Sequence, residues 1–107
     1  MTEYIAQGIS RINGNVYYVN VTGRNKSTTM EKLFDQYKNF NFNIFTKAEF
    51  FRYIYEEKFV FEKYDEDGGI NEYQYVEWDL LPTGAKKYYR NEAMRYVITL
   101  NELKRRT

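Results

Sequence analysis

Neither cysteine nor histidine occurs among the 107 residues of this chain. The absence of cysteine excludes disulfide bonds and thiolate chemistry, and it is typical of an intracellular protein or of a protein from a host that does not rely on disulfides. The absence of histidine removes the commonest general base and the commonest side-chain metal ligand. Zinc sites of the usual His and Cys type, histidine-ligated haem, and Ser-His-Asp or Cys-His catalysis are therefore excluded.

Long apolar runs are also missing. No stretch of 18 apolar residues occurs, and Met1 is not followed by a charged and then apolar leader. The sequence therefore predicts neither a membrane span nor a signal peptide, and we expect a cytoplasmic protein. A chain of this length suits one domain. The prediction is a single α+β domain over residues 1–107, with a frayed basic tail at its C-terminus.

The net charge of +1 conceals an uneven distribution of charged side chains. Residues 1–55 carry 7 basic and 4 acidic side chains, a net +3; residues 56–79 carry 2 and 9, a net −7; residues 80–107 carry 7 and 2, a net +5. Residues 56–79 are called the acidic segment below. Such asymmetry indicates a charged partner.

Residues 58–80 contain the only Trp and predict a β-hairpin. Apolar and aromatic residues alternate with polar ones on both sides of Asp67-Gly68-Gly69, a sequence suited to a tight turn. The second strand would direct Val76, Trp78 and Leu80 into the core and leave Glu77 and Asp79 on the other, wet face. Truncation of a buried Trp78 would cost about 3–5 kcal/mol.

Four further elements are predicted from residues 3–57. A hairpin over residues 3–22 turns at Asn13-Gly14, the strongest short hairpin signal. A helix capped by Thr28 is expected to end near Asn39, because apolar residues recur at helical spacing after the cap. Residues 39–45 alternate Phe with Asn, and we expect an ordered connector, whose aromatic side chains fill the core, rather than a strand. A second capping box at Thr46 predicts a short helix that ends near Glu57.

The C-terminal segment, residues 84–105, suits either a strand or a helix. Its β-prone Tyr-Val-Ile-Thr favours a strand over residues 94–100, with a shorter one at 86–90. The predicted fold is thus α+β: an antiparallel sheet of four to five strands, built from two hairpins plus a C-terminal strand, with two short helices on one face. The expected core comprises Ile5, Val19, Leu33, Phe34, Phe51, Ile54, Val76, Trp78 and Ile98.

The acidic segment is the first candidate site. Carboxylates at strand spacing lie roughly 6–7 Å apart, close to the spacing of phosphates along a nucleic-acid strand. Such a face could fill a basic groove that normally holds DNA or RNA, although charge on a hairpin edge also serves solubility alone. The expected function is a non-catalytic interaction protein, for example a phage or mobile-element inhibitor of a nucleic-acid-processing enzyme (anti-CRISPR-like, a nucleic-acid mimic). The predicted partner-binding residues are Asp65, Glu66, Asp67, Glu72, Tyr73, Tyr75, Glu77 and Asp79.

The basic C-terminal segment is the alternative site. Its cations could hold phosphates while its tyrosines stack on bases of a single strand. Equally, this basic face could pair with the acidic segment of the same molecule, and a net charge near zero is not typical of a strong nucleic-acid binder. The residues of the alternative nucleic-acid site are Lys86, Lys87, Tyr88, Tyr89, Arg90 and Arg95.

Metal and catalytic sites are weakly indicated. Asp65, Asp67 and Gly68 fit part of a calcium loop, but Lys63 and Gln74 occupy two positions that need ligands. No glycine pattern forms a phosphate-binding loop, and a chain this short leaves little room for a glycosidase cleft. We therefore predict no metal, no cofactor and no enzymatic activity; the sequence leaves the oligomeric state open.

Overall fold

The computed structural model of the protein describes residues 1–59 and 76–106. The first half contains strands β1 (Thr2–Ser10) and β2 (Val16–Gly23), helix α1 (Lys26–Gln36), strand β3 (Phe40–Thr46), helix α2 (Lys47–Ile54) and a π-helical turn (Tyr55–Phe59). After the gap follow a 3₁₀ turn (Trp78–Leu80), helix α3 (Thr83–Met94), the two-residue strand β4 (Val97–Ile98) and helix α4 (Leu100–Lys104).

The four strands form one mixed sheet in the order β3-β1-β2-β4. Strand β1 pairs antiparallel with β2 and β3, whereas β4 runs parallel to β2 through the pairs Tyr18↔Val97 and Val19↔Ile98. The α+β prediction is confirmed. The prediction of an antiparallel sheet is correct for three strands and wrong for the fourth.

The first hairpin forms, but its turn is wider than a two-residue type I′ turn. Gly14 has φ +75°, while Asn13 has a negative φ, so only one turn residue is left-handed. The Ser10 hydroxyl accepts hydrogen bonds from the N–H groups of Ile12 and Asn13, and the Asn13 side chain accepts one from Asn15. These side-chain acceptors stabilise the wider loop in place of the predicted turn.

Helix α1 begins three residues earlier than the sequence pattern suggests. Asn25 is the N-cap, with extended backbone angles, and its side-chain oxygen accepts a hydrogen bond from the Thr28 N–H at 2.9 Å. Thr28 thus lies at the third helical position, and the prediction of Thr28 as the cap is wrong. Asparagine is at least as good a cap as threonine, because its side chain reaches the same free N–H groups.

Replacing Asn25 by alanine is expected to lower the free energy of unfolding by about 1 kcal/mol. Replacing Thr28 by alanine removes an exposed hydroxyl that donates to the Asn25 side-chain oxygen at 3.2 Å, and the better helix propensity of alanine offsets part of that loss. Urea denaturation of both variants measures the difference. Equal losses of stability, or a larger loss for Thr28→Ala, would contradict the assignment of Asn25 as the N-cap.

Residues 40–46 form a strand, so the predicted connector is wrong. Phe40, Phe42 and Ile44 are buried, and Asn41 and Asn43 between them are exposed. The strict alternation of Phe and Asn predicts this strand better than the asparagine content predicts a loop. Asparagine side chains that face outwards do not interfere with the backbone hydrogen bonds of the sheet. Helix α2 follows at once and ends at Ile54, before the predicted end near Glu57.

The C-terminal segment is mostly helical, and the predicted strands at 86–90 and 94–100 are wrong except for Val97–Ile98. In α3 the less exposed positions Lys86, Tyr89, Arg90 and Ala93 recur at i, i+3, i+4 and i+7. This is the spacing of one helical face. Ala93 is fully buried there. The segment therefore forms a helix that buries this face, although several of its residues favour strands.

The predicted hairpin over residues 58–80 is contradicted at both of its described ends. Phe59 belongs to the π-helical turn, and Trp78–Leu80 form a 3₁₀ turn in which Leu80 and Leu81 donate backbone hydrogen bonds to Glu77 and Trp78. The remainder of the predicted hairpin, with its turn at 67–69, lies outside the described residues. A strand at 76–80 is therefore excluded.

The chain divides into two compact units, Met1–Ala48 with Tyr96–Thr107, and Glu49–Arg95. In the first unit, aromatic and aliphatic side chains from the sheet, α1 and α4 form one core cluster. Its buried members are Tyr4, Ala6, Val19, Val21, Leu33, Tyr37, Phe40, Phe42, Ile44 and Leu103. The prediction of a single domain remains a prediction.

The predicted core was right at four of nine positions. Ile5, Val19, Leu33 and Ile54 are buried. The other five are not: Phe34 and Val76 are exposed, and Phe51, Trp78 and Ile98 are half-buried. Phe34 and Trp78 do make ring contacts, at 5.8 Å with Phe42 and 5.5 Å with Tyr55. A half-buried Trp78 no longer supports the full 3–5 kcal/mol expected for its truncation.

Candidate functional site

Six of the eight predicted partner-binding residues, Asp65, Glu66, Asp67, Glu72, Tyr73 and Tyr75, lie outside the described residues. The structure describes Glu77 and Asp79, and both are exposed. They do not share a strand face, because Glu77 is the N-cap of the 3₁₀ turn and Asp79 lies within it. The predicted strand spacing between these two carboxylates is therefore wrong, although both carboxylates lie open to solvent.

The two described ends of the acidic segment are held together by Tyr55. Its hydroxyl donates a hydrogen bond of 2.5 Å to the carbonyl oxygen of Val76, 21 residues later. Its ring also lies 5.5 Å from the ring of Trp78, centroid to centroid. Tyr55 therefore lies in contact with Val76 and Trp78, on the other side of the residues that the structure does not describe.

Helix α3 extends this contact into an aromatic cluster. The Tyr89 ring lies 4.8 Å from Tyr55 in an edge-to-face arrangement and 5.4 Å from Phe59. Tyr55 and Phe59 lie four residues apart on neighbouring helical turns, which lets both reach the same ring. Such ring pairs contribute about 0.5–1.5 kcal/mol each beyond the area they bury. We call Tyr55, Phe59, Trp78 and Tyr89 the aromatic clamp.

Charged contacts reinforce the end of the segment. The Arg52 guanidinium forms an ion pair with the Asp79 carboxylate, and the Lys86 ammonium donates to the Asp79 carbonyl oxygen at 3.4 Å. Both side chains of the ion pair are substantially exposed, so the pair contributes at most about 1 kcal/mol. Asp79 therefore serves the fold as well as the acidic surface.

Three other carboxylates at the ends of the segment remain open. Glu56, Glu57 and Glu77 are exposed, and none of their carboxylates has a hydrogen-bond or ion-pair partner among residues 1–59 and 76–106. Two arginines near the C-terminus have partners of their own. Arg95 lies 3.4 Å from the Glu92 carboxylate, and the Arg106 guanidinium stacks over the Tyr17 ring at 5.5 Å. Within the described part of the chain, these three carboxylates thus carry uncompensated negative charge.

The alternative nucleic-acid site is divided by the geometry of α3. Lys87, Tyr88 and Arg95 are exposed, whereas Tyr89 is half-buried in the aromatic clamp, and Lys86 and Arg90 lie on its side of the helix. Tyr88 is 58% exposed, so it remains the one tyrosine of the six that could stack on a base. Three of the six predicted residues, Lys87, Tyr88 and Arg95, are therefore exposed and available to a ligand.

Sequence reasoning missed Tyr55 and Arg52, which hold the end of the acidic segment. Both residues lie in the stretch after Thr46 that is predicted only as a short helix. The spacing of Tyr55 and Phe59, four residues apart and directly before the acidic run, was an available signal. The contact between Tyr55 and Val76 could not be predicted. The two residues are 21 positions apart, and only a strand pairing would have linked them in the sequence, but residues 76–80 do not form a strand.

Removing the Tyr55 hydroxyl is expected to lower the free energy of unfolding by about 1 kcal/mol, because Tyr55→Phe leaves the Val76 carbonyl without its donor. Tyr88→Phe is the matched control, since the Tyr88 hydroxyl is exposed and should contribute less than about 0.5 kcal/mol. Urea denaturation followed by circular dichroism compares the two. Indistinguishable midpoints would show that Tyr55 does not hold the segment.

Three further observations bear on function. In residues 1–59 and 76–106, no three Asp or Glu side chains come together as a metal site would require. No helix in the described part of the chain is both long and apolar enough to cross a membrane. No protein-family model, curated protein or solved structure matches the chain.

Proposed function

We propose that the protein is a non-catalytic binding protein that presents its acidic, tyrosine-rich segment to a basic surface on a protein partner. The observation that carries the proposal is the geometry at the ends of the segment. Tyr55 holds Val76 and Trp78 there, while Glu56, Glu57 and Glu77 stay exposed and unpaired within the described residues.

The physical advantage of this arrangement is a lower cost of binding. A segment whose ends are already joined loses less conformational entropy when it docks than one with free ends. A net charge of −7 over 24 residues also accelerates encounter with a positively charged surface, most strongly at low salt. Tyrosines interleaved with the carboxylates supply the large, stiff contact area typical of interfaces.

The more specific form of the proposal concerns the partner. A basic groove that binds nucleic acid is the commonest surface with a high density of phosphate-binding cations, and carboxylates replace phosphates there. We propose a cytoplasmic inhibitor of a nucleic-acid-processing enzyme, of the phage or mobile-element kind and anti-CRISPR-like in action. The high density of carboxylates in one continuous stretch supports this form.

Direct binding of a single-stranded nucleic acid by α3 is the second candidate. Lys87 and the 58% exposed Tyr88 support it. Fluorescence anisotropy with labelled single-stranded and double-stranded oligonucleotides at two salt concentrations separates the candidates. The first predicts no binding; salt-sensitive binding at micromolar or lower concentration, lost in Lys87→Glu/Tyr88→Ala, would replace it with the second.

Capture from a nuclease-treated host lysate tests the first candidate. Three baits are compared: the natural chain, Glu56→Lys/Glu57→Lys, and the control Glu3→Lys/Glu102→Lys, which changes the net charge equally but lies outside the acidic segment. The proposal predicts that a nucleic-acid-processing enzyme is retained by the first and third baits and lost from the second. Equal retention by all three would contradict the role of the acidic segment.

A further inference from the structure

Strand β3 lies at an end of the sheet and pairs only with β1 among the described residues. The Arg11 N–H donates to the Asn39 carbonyl oxygen at 2.7 Å, which continues the β1–β3 ladder by one pair. Because hydrogen-bonded pairs alternate in an antiparallel ladder, Asn41 and Asn43 bond towards β1. The backbone N–H and C=O groups of Phe42 and Ile44 therefore point to the open edge.

Strand β3 itself carries none of the residues or irregularities that usually prevent pairing at an edge. Sheet edges in natural proteins are commonly blocked by lysine, proline, a bulge or very short strands. Residues 40–46, Phe-Asn-Phe-Asn-Ile-Phe-Thr, contain no charge and no proline, and their register with β1 is continuous over seven pairs. A regular, uncharged strand of this length is a template for another strand.

The strand is complementary to itself about Asn43. If a second copy pairs antiparallel through a two-fold axis at Asn43, Phe42 lies opposite the second copy's Ile44 as a hydrogen-bonded pair, using the outward backbone groups of both. The two Asn43 side chains then meet on the exposed face, where their amides can hydrogen-bond to each other. Apolar side chains again face the side that carries α1.

Helix α1 offers a second contact on that side. One of its faces, together with Asn43 and Ile44, lines a groove of about 640 Å³ beside the open edge. Phe34 in this groove is 37% exposed, and its ring lies 5.8 Å from that of Phe42. The groove residues from the helix are Lys26, Ser27, Met30, Glu31 and Phe34.

The charges of α1 are ordered unfavourably within one copy. Lys26 lies in the first turn, which has no acidic residue, and Asp35 lies in the last turn, which has no basic residue. The helix dipole favours the opposite order. Under the two-fold axis a second α1 runs antiparallel beside the first, and this brings each Lys26 towards the other copy's Asp35, so that the charges and the dipoles become complementary.

We propose that the protein forms a homodimer through the open edge of β3, which extends the four-stranded sheet to eight strands and places the two α1 helices antiparallel on one face. This dimer presents two acidic segments. The inference rests on α1, on β3 and on the pairing of β3 with β1, and it is independent of the proposed function.

Sedimentation equilibrium of the full chain measures the dimer directly. The expected mass is twice the 13.0 kDa of the chain, and a chain that stays monomeric up to about 1 mM, where even weak dimers form, overturns the proposal. Asn43→Lys places two like charges across the axis and should weaken the dimer at least about tenfold. Asn20→Lys, an exposed site on the interior strand β2, should leave it unchanged.

Paired charge variants test the orientation. Lys26→Asp gives a chain with carboxylates at both positions, and Asp35→Lys gives one with cations at both. Each alone should dimerise about tenfold more weakly, and an equimolar mixture should form heterodimers at the original strength, because opposite charges meet again. If neither these variants nor Asn43→Lys changes the dissociation constant, the dimer forms through another surface and the proposal is wrong.

Amide hydrogen exchange distinguishes a second copy from any other occupant of the edge. The Phe42 and Ile44 amides should exchange slowly in the dimer and quickly in monomeric Asn43→Lys, while those of Asn41 and Asn43 or its replacement stay slow in both. Slow exchange of Phe42 and Ile44 in a monomer would show that another segment of the chain covers the edge, and would overturn the proposal.

Discussion

Replacing Phe40 by alanine is expected to lower the free energy of unfolding by about 3–5 kcal/mol. Phe40 is 1% exposed, and its ring lies 6.0 Å from Tyr17 and 5.9 Å from Phe42. The substitution removes a large apolar side chain from the core of the first unit and leaves a cavity that the rigid sheet cannot close. A loss of this size is a large share of the stability of a small protein.

Urea denaturation of Phe40→Ala and of Ile12→Ala measures this effect against a control. Ile12 is 73% exposed, so its truncation should change the free energy of unfolding by less than about 0.5 kcal/mol. A Phe40→Ala loss below about 1 kcal/mol would show that β3 does not seal the core, since even a single buried methylene contributes nearly that much.

Gly23→Ala is expected to cost about 3 kcal/mol, the upper end for overpacking. A Cβ at position 23 would lie 1.7 Å from the Thr29 hydroxyl oxygen. Thr29 is buried, and its hydroxyl donates to the Asn25 carbonyl oxygen at 2.7 Å at the start of α1. The added methyl group must therefore displace Thr29 and disturb the first turn of the helix.

Gly84→Ala provides the matched control for this substitution. No atom lies within 4 Å of a Cβ at position 84, which is in the first turn of α3. Because alanine is the better helix former, this change should raise the free energy of unfolding by up to about 1 kcal/mol. A fall in the free energy of unfolding for Gly23→Ala and a rise for Gly84→Ala would support the close approach of Gly23 to Thr29. Equal changes in the two variants would contradict it. Thr29→Ala should relieve part of the cost in the double variant.

The fold was predictable where a single physical signal dominated. Asn13-Gly14 between two alternating runs located the first hairpin, and the apolar stripe with Leu33 located α1. The errors lie where two signals competed. The asparagines in residues 39–45 argued against the strand that alternation predicts, and the β-prone residues near 94–100 favoured a strand over the helix that the same segment also suits. In both cases the tertiary burial that decided the outcome depends on neighbours that the local sequence does not specify.

The site was predictable in its charge and not in its geometry. Composition alone locates the acidic segment, because counting needs no structure. The hydrogen bond between Tyr55 and Val76 and the ion pair between Arg52 and Asp79 join residues 21 and 27 positions apart. Such pairings follow from how α2, the 3₁₀ turn and α3 pack in the second unit. The predicted strand face of Glu77 and Asp79 failed for the same reason.

The most direct test of the acidic segment is competition with nucleic acid. A labelled DNA duplex bound to the captured enzyme is titrated with the natural chain, with Glu56→Lys/Glu57→Lys, and with Glu3→Lys/Glu102→Lys, and its displacement is followed by fluorescence anisotropy. The account predicts that the natural chain and the control displace the duplex at equal concentrations, while the first variant needs at least about tenfold more. Equal displacement by all three, or none by the natural chain, would contradict it.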